Sequence, residues 1–158
     1  MGYVSFNLRS NGAVQVTRSG PGSAQKVTVK NEPYSTHTAL ALNSGPRARY
    51  KFIGLTWLQA KGARAPAGHR YAAAVFTQGN DGRGSSVNSA WYEGSSEAAI
   101  WEVASDGRVT ATSDGKPLAF YVYEETDQIN LFPDFTAYVA SRGVADKWDQ
   151  VTLTFKSD

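Results

Sequence analysis

The chain has no cysteine among its 158 residues. That excludes a disulfide framework, a thiol nucleophile and any thiolate-bound metal, so the fold must be held by packing. Histidine is scarce, with His37 and His69 alone. Neither has the spacing of a helical zinc site or a nearby carboxylate pair, so no metal and no cofactor is expected. Apolar runs of the ~18 residues that a spanning helix needs are absent, and Met1 is not followed by a basic and then apolar leader. A cytoplasmic domain with no membrane span is the expectation. The chain also lacks a Gly-x-Ser-x-Gly elbow, and its Gly79–Gly84 stretch lacks the Gly-Lys-Ser/Thr ending of a phosphate loop. Asn80-Asp81-Gly82 lacks the spaced ligands of a calcium loop and reads as a plain turn.

What is present is sheet-forming material. Hydrophobic residues make up 41% of the chain, enough at this length for one core and a single domain over 1–158. Val4, Phe6 and Leu8 alternate with polar neighbours, Asn11-Gly12 supplies a hairpin turn, and Val14 and Val16 alternate again. After the turn at 19–23, Val27 and Val29 complete a predicted three-stranded meander. Strands are predicted at 36–42, 48–59 and 69–77. The second is apolar on both faces, with Phe52 and Leu58 on one side and Ile53, Leu55 and Trp57 on the other. A long Gly/Ser-rich connection, 78–97, follows.

A second meander runs through Ile100–Val103, Arg108–Thr112 and Leu118–Tyr123, punctuated by Asp106-Gly107 and Asp114-Gly115. It resembles the first at an offset of 95 residues, either as a duplicated half or because similar turns use similar residues. Asp134 can cap a helix over about 135–142, with Phe135, Tyr138 and Val139 on one face and Gly143 as its stop. Val151–Phe155 alternates cleanly, and 150–156 is a candidate edge through which two copies could pair. The predicted fold is all-β with that one short helix, an antiparallel β-sandwich or, as the alternative, a closed barrel.

Three functional readings are open. The leading one is a non-catalytic, lectin-like carbohydrate-binding domain with a glycan or small-molecule partner. Its candidate residues are Asn80, Asp81, Arg83, Asn88, Trp91, Tyr92 and Glu93 in the long connection. Aromatic faces suit the C–H side of a sugar ring, and amide and charged groups suit its hydroxyls. The second is a small enzyme or carrier with an apolar pocket of Trp57, Tyr71, Trp101, Tyr121 and Tyr123. Glu102, in an apolar strand, would be its acid/base. The third rests on charge. Residues 1–92 carry eleven Lys/Arg against two acids, and 93–158 carry five against twelve. Arg47, Arg49, Lys51, Lys61, Arg64 and Arg70, interleaved with Tyr50, Trp57 and Tyr71, would hold a polyanion or single-stranded nucleic acid. The acidic second half makes nucleic acid the least favoured partner.

Overall fold

A computed structural model describes residues 2–5, 7–29, 37–43, 49–58, 71–79, 94–142 and 147–156. The strands are β1 (Tyr3–Val4), β2 (Val16–Thr17), β3 (Val27–Val29), β4 (Thr38–Leu42), β5 (Phe52–Leu58) and β6 (Tyr71–Thr77). They continue with β7 (Ser96–Glu97), β8 (Ala99–Val103), β9 (Arg108–Ser113), β10 (Lys116–Tyr123) and β11 (Ile129–Phe132). Helix α1 (Phe135–Arg142) follows, and then β12 (Trp148–Val151) and β13 (Leu153–Thr154). No described helix is long and apolar enough to cross a membrane.

The fold is all-β with one short helix, and of the two architectures open to the sequence it is the closed barrel. Seven antiparallel strands run β10–β11–β6–β5–β4–β8–β9, and β9 pairs back onto β10. That last pairing closes the sheet and removes the two free edges that a sandwich would keep. Alternation puts Leu40, Ile53, Leu55, Trp57, Phe76, Val109, Ala111, Phe120, Val122, Ile129 and Leu131 in one interior cluster. Trp101 stacks on Phe120 at 6.0 Å between centroids and donates its indole N–H to the Ile53 carbonyl at 2.9 Å.

Three strand pairs of the wall splay apart, and each fork is filled by a segment that runs in along one strand and out along the other. Between β6 and β11, the Val14 N–H bonds the Ala74 carbonyl, while the Val14 carbonyl accepts from Ile129 N–H. Between β5 and β4, β7 pairs with Leu55 and Thr56, and β8 then pairs with Thr38 and Ala39. Between β10 and β9, β12 pairs with β10 and β13 with β9. Gly54 stands where β7 crosses β5. A Cβ there would run into the Glu97 carbonyl oxygen and the Thr77 side chain.

These forks account for the departures from the sequence pattern. The first hairpin forms, and Ala24 and Gln25 meet Ser5 and Val4 beside it, but the third strand of the predicted meander then leaves, because β3 pairs with β4. The predicted single strand at 151–155 is broken at Thr152, where the chain turns from β10 to β9. β11 was not predicted at all, being only four residues long after an acidic run. The second meander forms as expected.

The likeness at an offset of 95 is one of turns. Asn11 Oδ1 accepts from Ala13 N–H at 3.1 Å, and Asp106 Oδ1 accepts from Arg108 N–H at 2.9 Å. Gly12 and Gly107 sit at φ 82° and 87°. Beyond the turns the two hairpins diverge. The first slips by two residues before β1 meets β2, whereas the second continues in register through Val103–Val109.

Helix α1 lies on the outside of the barrel. Asp134 caps it, its Oδ1 accepting from Ala137 N–H at 2.9 Å. Phe135 stacks on Tyr121 at 3.8 Å, and Tyr138 is buried against Phe132 and Tyr71.

Candidate functional site

The outer faces of β6, β10, β11 and β12 carry the aromatic residues that the interior leaves over. Outward positions on β10 hold Tyr121 and Tyr123, on β11 Asn130 and Phe132, on β6 Tyr71 and Ala73. Tyr123 lies opposite Trp148 of β12, their rings 4.9 Å apart and tilted by 48°. Tyr71 stacks on Phe132 at 5.4 Å and meets Tyr138 at 4.9 Å. Tyr121, held between Phe132 and Phe135, has its phenol pushed above its ordinary range by burial.

Between this flank and the turn after β1 opens a groove of about 370 Å³. Its walls are aromatic, from Tyr71, Tyr123, Tyr138 and Trp148. Its polar side comes from Arg9, Asn11, Gln128 and Asn130, and Leu58 and Thr126 complete it. The polar residues form a relay. Gln128 Oε1 accepts from Arg9 Nη1 at 3.3 Å and from Asn11 Nδ2 at 3.2 Å, and Gln128 Nε2 donates to Asn130 Oδ1 at 2.8 Å. Asn130 is only 2% exposed, opposite Ala73 on one side and Tyr121 on the other, so the small alanine leaves the amide at the groove floor. The Trp148 indole N–H is buried away from solvent and has no hydrogen-bond partner. Asn130 Nδ2 has no partner among the described residues. No carboxylate among the described residues lines the groove.

The six residues expected to share one apolar pocket are divided by the barrel wall. Trp57 and Trp101 lie inside it, Tyr71 and Tyr123 line the outer groove, and Tyr121 is packed under α1. Glu102 is exposed on the outer side of β8, opposite Thr110. Strict alternation sends neighbours to opposite faces, so aromatic richness in several strands does not make them one lining. Glu97 is a half-buried carboxylate, which receives the Trp57 indole N–H at 2.5 Å and the Ser113 hydroxyl at 2.8 Å. With the buried Thr56–Ser96 hydroxyl pair at 2.6 Å, it pins β7 to β5 and β9.

The seven candidates Asn80, Asp81, Arg83, Asn88, Trp91, Tyr92 and Glu93 lie outside the described residues, as do Arg47, Lys61, Arg64 and Arg70. The segment 80–93 is flanked by Gly79 and Gly94, which adjoin opposite ends of the β5–β6 pair. Arg49 and Lys51 are exposed, and Tyr50 packs against the core.

Sequence reasoning missed Arg9, Asn11, Gln128, Asn130, Tyr138 and Trp148 as site residues. One signal was available. Asn130 interrupts an otherwise apolar run, Ile129–Phe132, and a buried amide of that kind needs partners. No protein-family model, curated protein or solved structure matches this chain.

Proposed function

We propose that the protein is a non-catalytic carbohydrate-binding domain and that the outer groove is a sugar site. The observation that carries this reading is the pairing, in one groove, of tilted aromatic walls with a hydrogen-bonded amide relay. A pyranose offers an apolar C–H face to the rings and a rim of hydroxyls to Asn, Gln and Arg. The volume falls within the range of about 300–1,000 Å³ typical of small-molecule pockets. Among the described residues its lining carries amides and hydroxyls rather than the carboxylate pair of a glycoside hydrolase.

The 78–97 connection, with Trp91 and Tyr92, is the second candidate for sugar contact. The expected edge at 150–156 is paired to the barrel instead, β12 with β10 and β13 with β9, and pairing of two copies by another surface would add avidity for a multivalent glycan.

A glycan array with labelled protein at about 0.15 M salt, where charge attraction is screened beyond about 8 Å, tests the reading. Selective capture of a related set of sugars is expected. Trp148→Ala and Trp91→Ala then assign the contact to the groove or to the connection. A blank array, with an apolar small molecule found by native mass spectrometry, would replace the sugar reading with a carrier.

A further inference from the structure

We infer that the groove selects acidic saccharides, those whose ring carries a carboxylate or a sulfate ester; this rests on the sugar-site reading above. The argument is one of hydrogen-bond polarity.

Two donors at the mouth of the relay have no choice of role. The Ala13 backbone N–H can only donate, so the Asn11 atom facing it is Oδ1 and its Nδ2 turns toward Gln128. The Arg9 guanidinium can only donate, so it too requires Oε1 at that end of Gln128. Gln128 Nε2 is thereby aimed at Asn130, which must present Oδ1 to it. Each amide is thus oriented by the one before it. The free end of the relay, at the groove floor, is the Asn130 Nδ2 donor.

Arg9 shares the sign of that donor, while the Tyr71, Tyr123, Tyr138 and Thr126 hydroxyls of the lining can donate or accept. Arg9 makes no ion pair among the described residues, so its charge and remaining N–H groups are uncommitted. The nearby acids are spent elsewhere, Asp127 on Arg18 at 2.7 Å and Glu125 on Lys147 at 2.6 Å, and neither lines the groove. Each amide oxygen of the relay already accepts a hydrogen bond. A neutral hydroxyl must both donate and accept to be fully paired. A carboxylate or sulfate only accepts, and charge-assisted bonds to Arg and N–H donors are the stronger kind.

The test is calorimetric titration of the full chain with matched pairs: a glucuronate-terminated against a glucose-terminated oligosaccharide, and a 6-sulfogalactoside against its galactoside. At least one acidic member should bind about tenfold or more tighter than its neutral partner, and the two arms separate carboxylate from sulfate. Arg9→Gln, which gives up a single side-chain hydrogen bond in the fold, should reduce that ratio to about twofold or less. Asn130→Asp, which replaces the floor donor by an anion, should abolish acidic binding. Equal or tighter binding of both neutral sugars overturns the acid selectivity and leaves the sugar site standing. No binding by any of the four, together with a blank array, overturns both.

Discussion

Trp101 and Trp148 stand on opposite sides of the same β-barrel wall. Trp101, 2% exposed, fills the interior and gives its N–H to a backbone carbonyl. Trp148 packs against Tyr123 and Phe132 on the outside, and its buried N–H has no partner. The carboxamide of Asn130 has its oxygen bonded and its nitrogen without a partner among the described residues. Inside the barrel, shape and polarity are both satisfied. On the flank, shape is satisfied and polarity is incomplete, by about 1–3 kcal/mol for the buried, unpaired Trp148 N–H.

The largest expected effect breaks the interior. Trp101→Ala should cost about 3–5 kcal/mol of stability in a denaturant titration, from lost burial and the cavity left behind. Sugar affinity per folded molecule should be unchanged. Trp148→Phe should do the opposite. Removing an unpaired N–H offsets the lost ring area, so stability should stay within about 1 kcal/mol of the parent, while affinity for the captured glycan falls about threefold as the groove loses aromatic wall. If the two variants lose stability equally, the contrast between core and flank is gone.

Asp134→Ala sharpens the comparison from the side of α1. Loss of the cap should cost about 1 kcal/mol and be read in amide exchange across Phe135–Arg142. Because Tyr138 belongs to that helix and to the groove wall, binding should weaken with it.

The smallest effect lies at the rim. Lys147 donates to Glu125, and its hydrogen bond and charge, with a lesser contribution from Tyr123, hold the carboxyl below its ordinary value of 4.5. A depressed carboxylate contributes stability above its unfolded pKa and loses it as pH falls through the folded one. Lys147→Met should move the Glu125 titration, followed by carboxyl NMR, upward toward 4.5. Thermal stability should hardly change, since the pair is exposed to solvent.

Local chemistry was legible where a few adjacent residues decide it. Asn11-Gly12, Asp106-Gly107 and Asp114-Gly115 make their turns, with Asp114 and Gly115 both at positive φ as a two-residue hairpin loop requires. The cap at Asp134 and the helix behind it also formed where expected. β11 was illegible because its four residues carry too short a pattern, although it holds both the interior through Leu131 and the groove through Asn130. The readings built on 80–93 concern residues outside those described.

By itself, then, the sequence determined an all-β chain, its turns, its capped helix and the alternation that sorts Ile53, Leu55 and Trp57 from Phe52 and Leu58. Each of these is a preference of neighbouring residues, set by period and by allowed φ. Only the tertiary structure decided that β9 closes onto β10, that three segments fill the forks of the wall, and that Arg9, Asn11, Tyr71, Gln128, Asn130 and Trp148 share one groove. Those residues are distant in the chain. Their meeting depends on register and closure, which are properties of strand pairs and of the whole sheet rather than of any one strand.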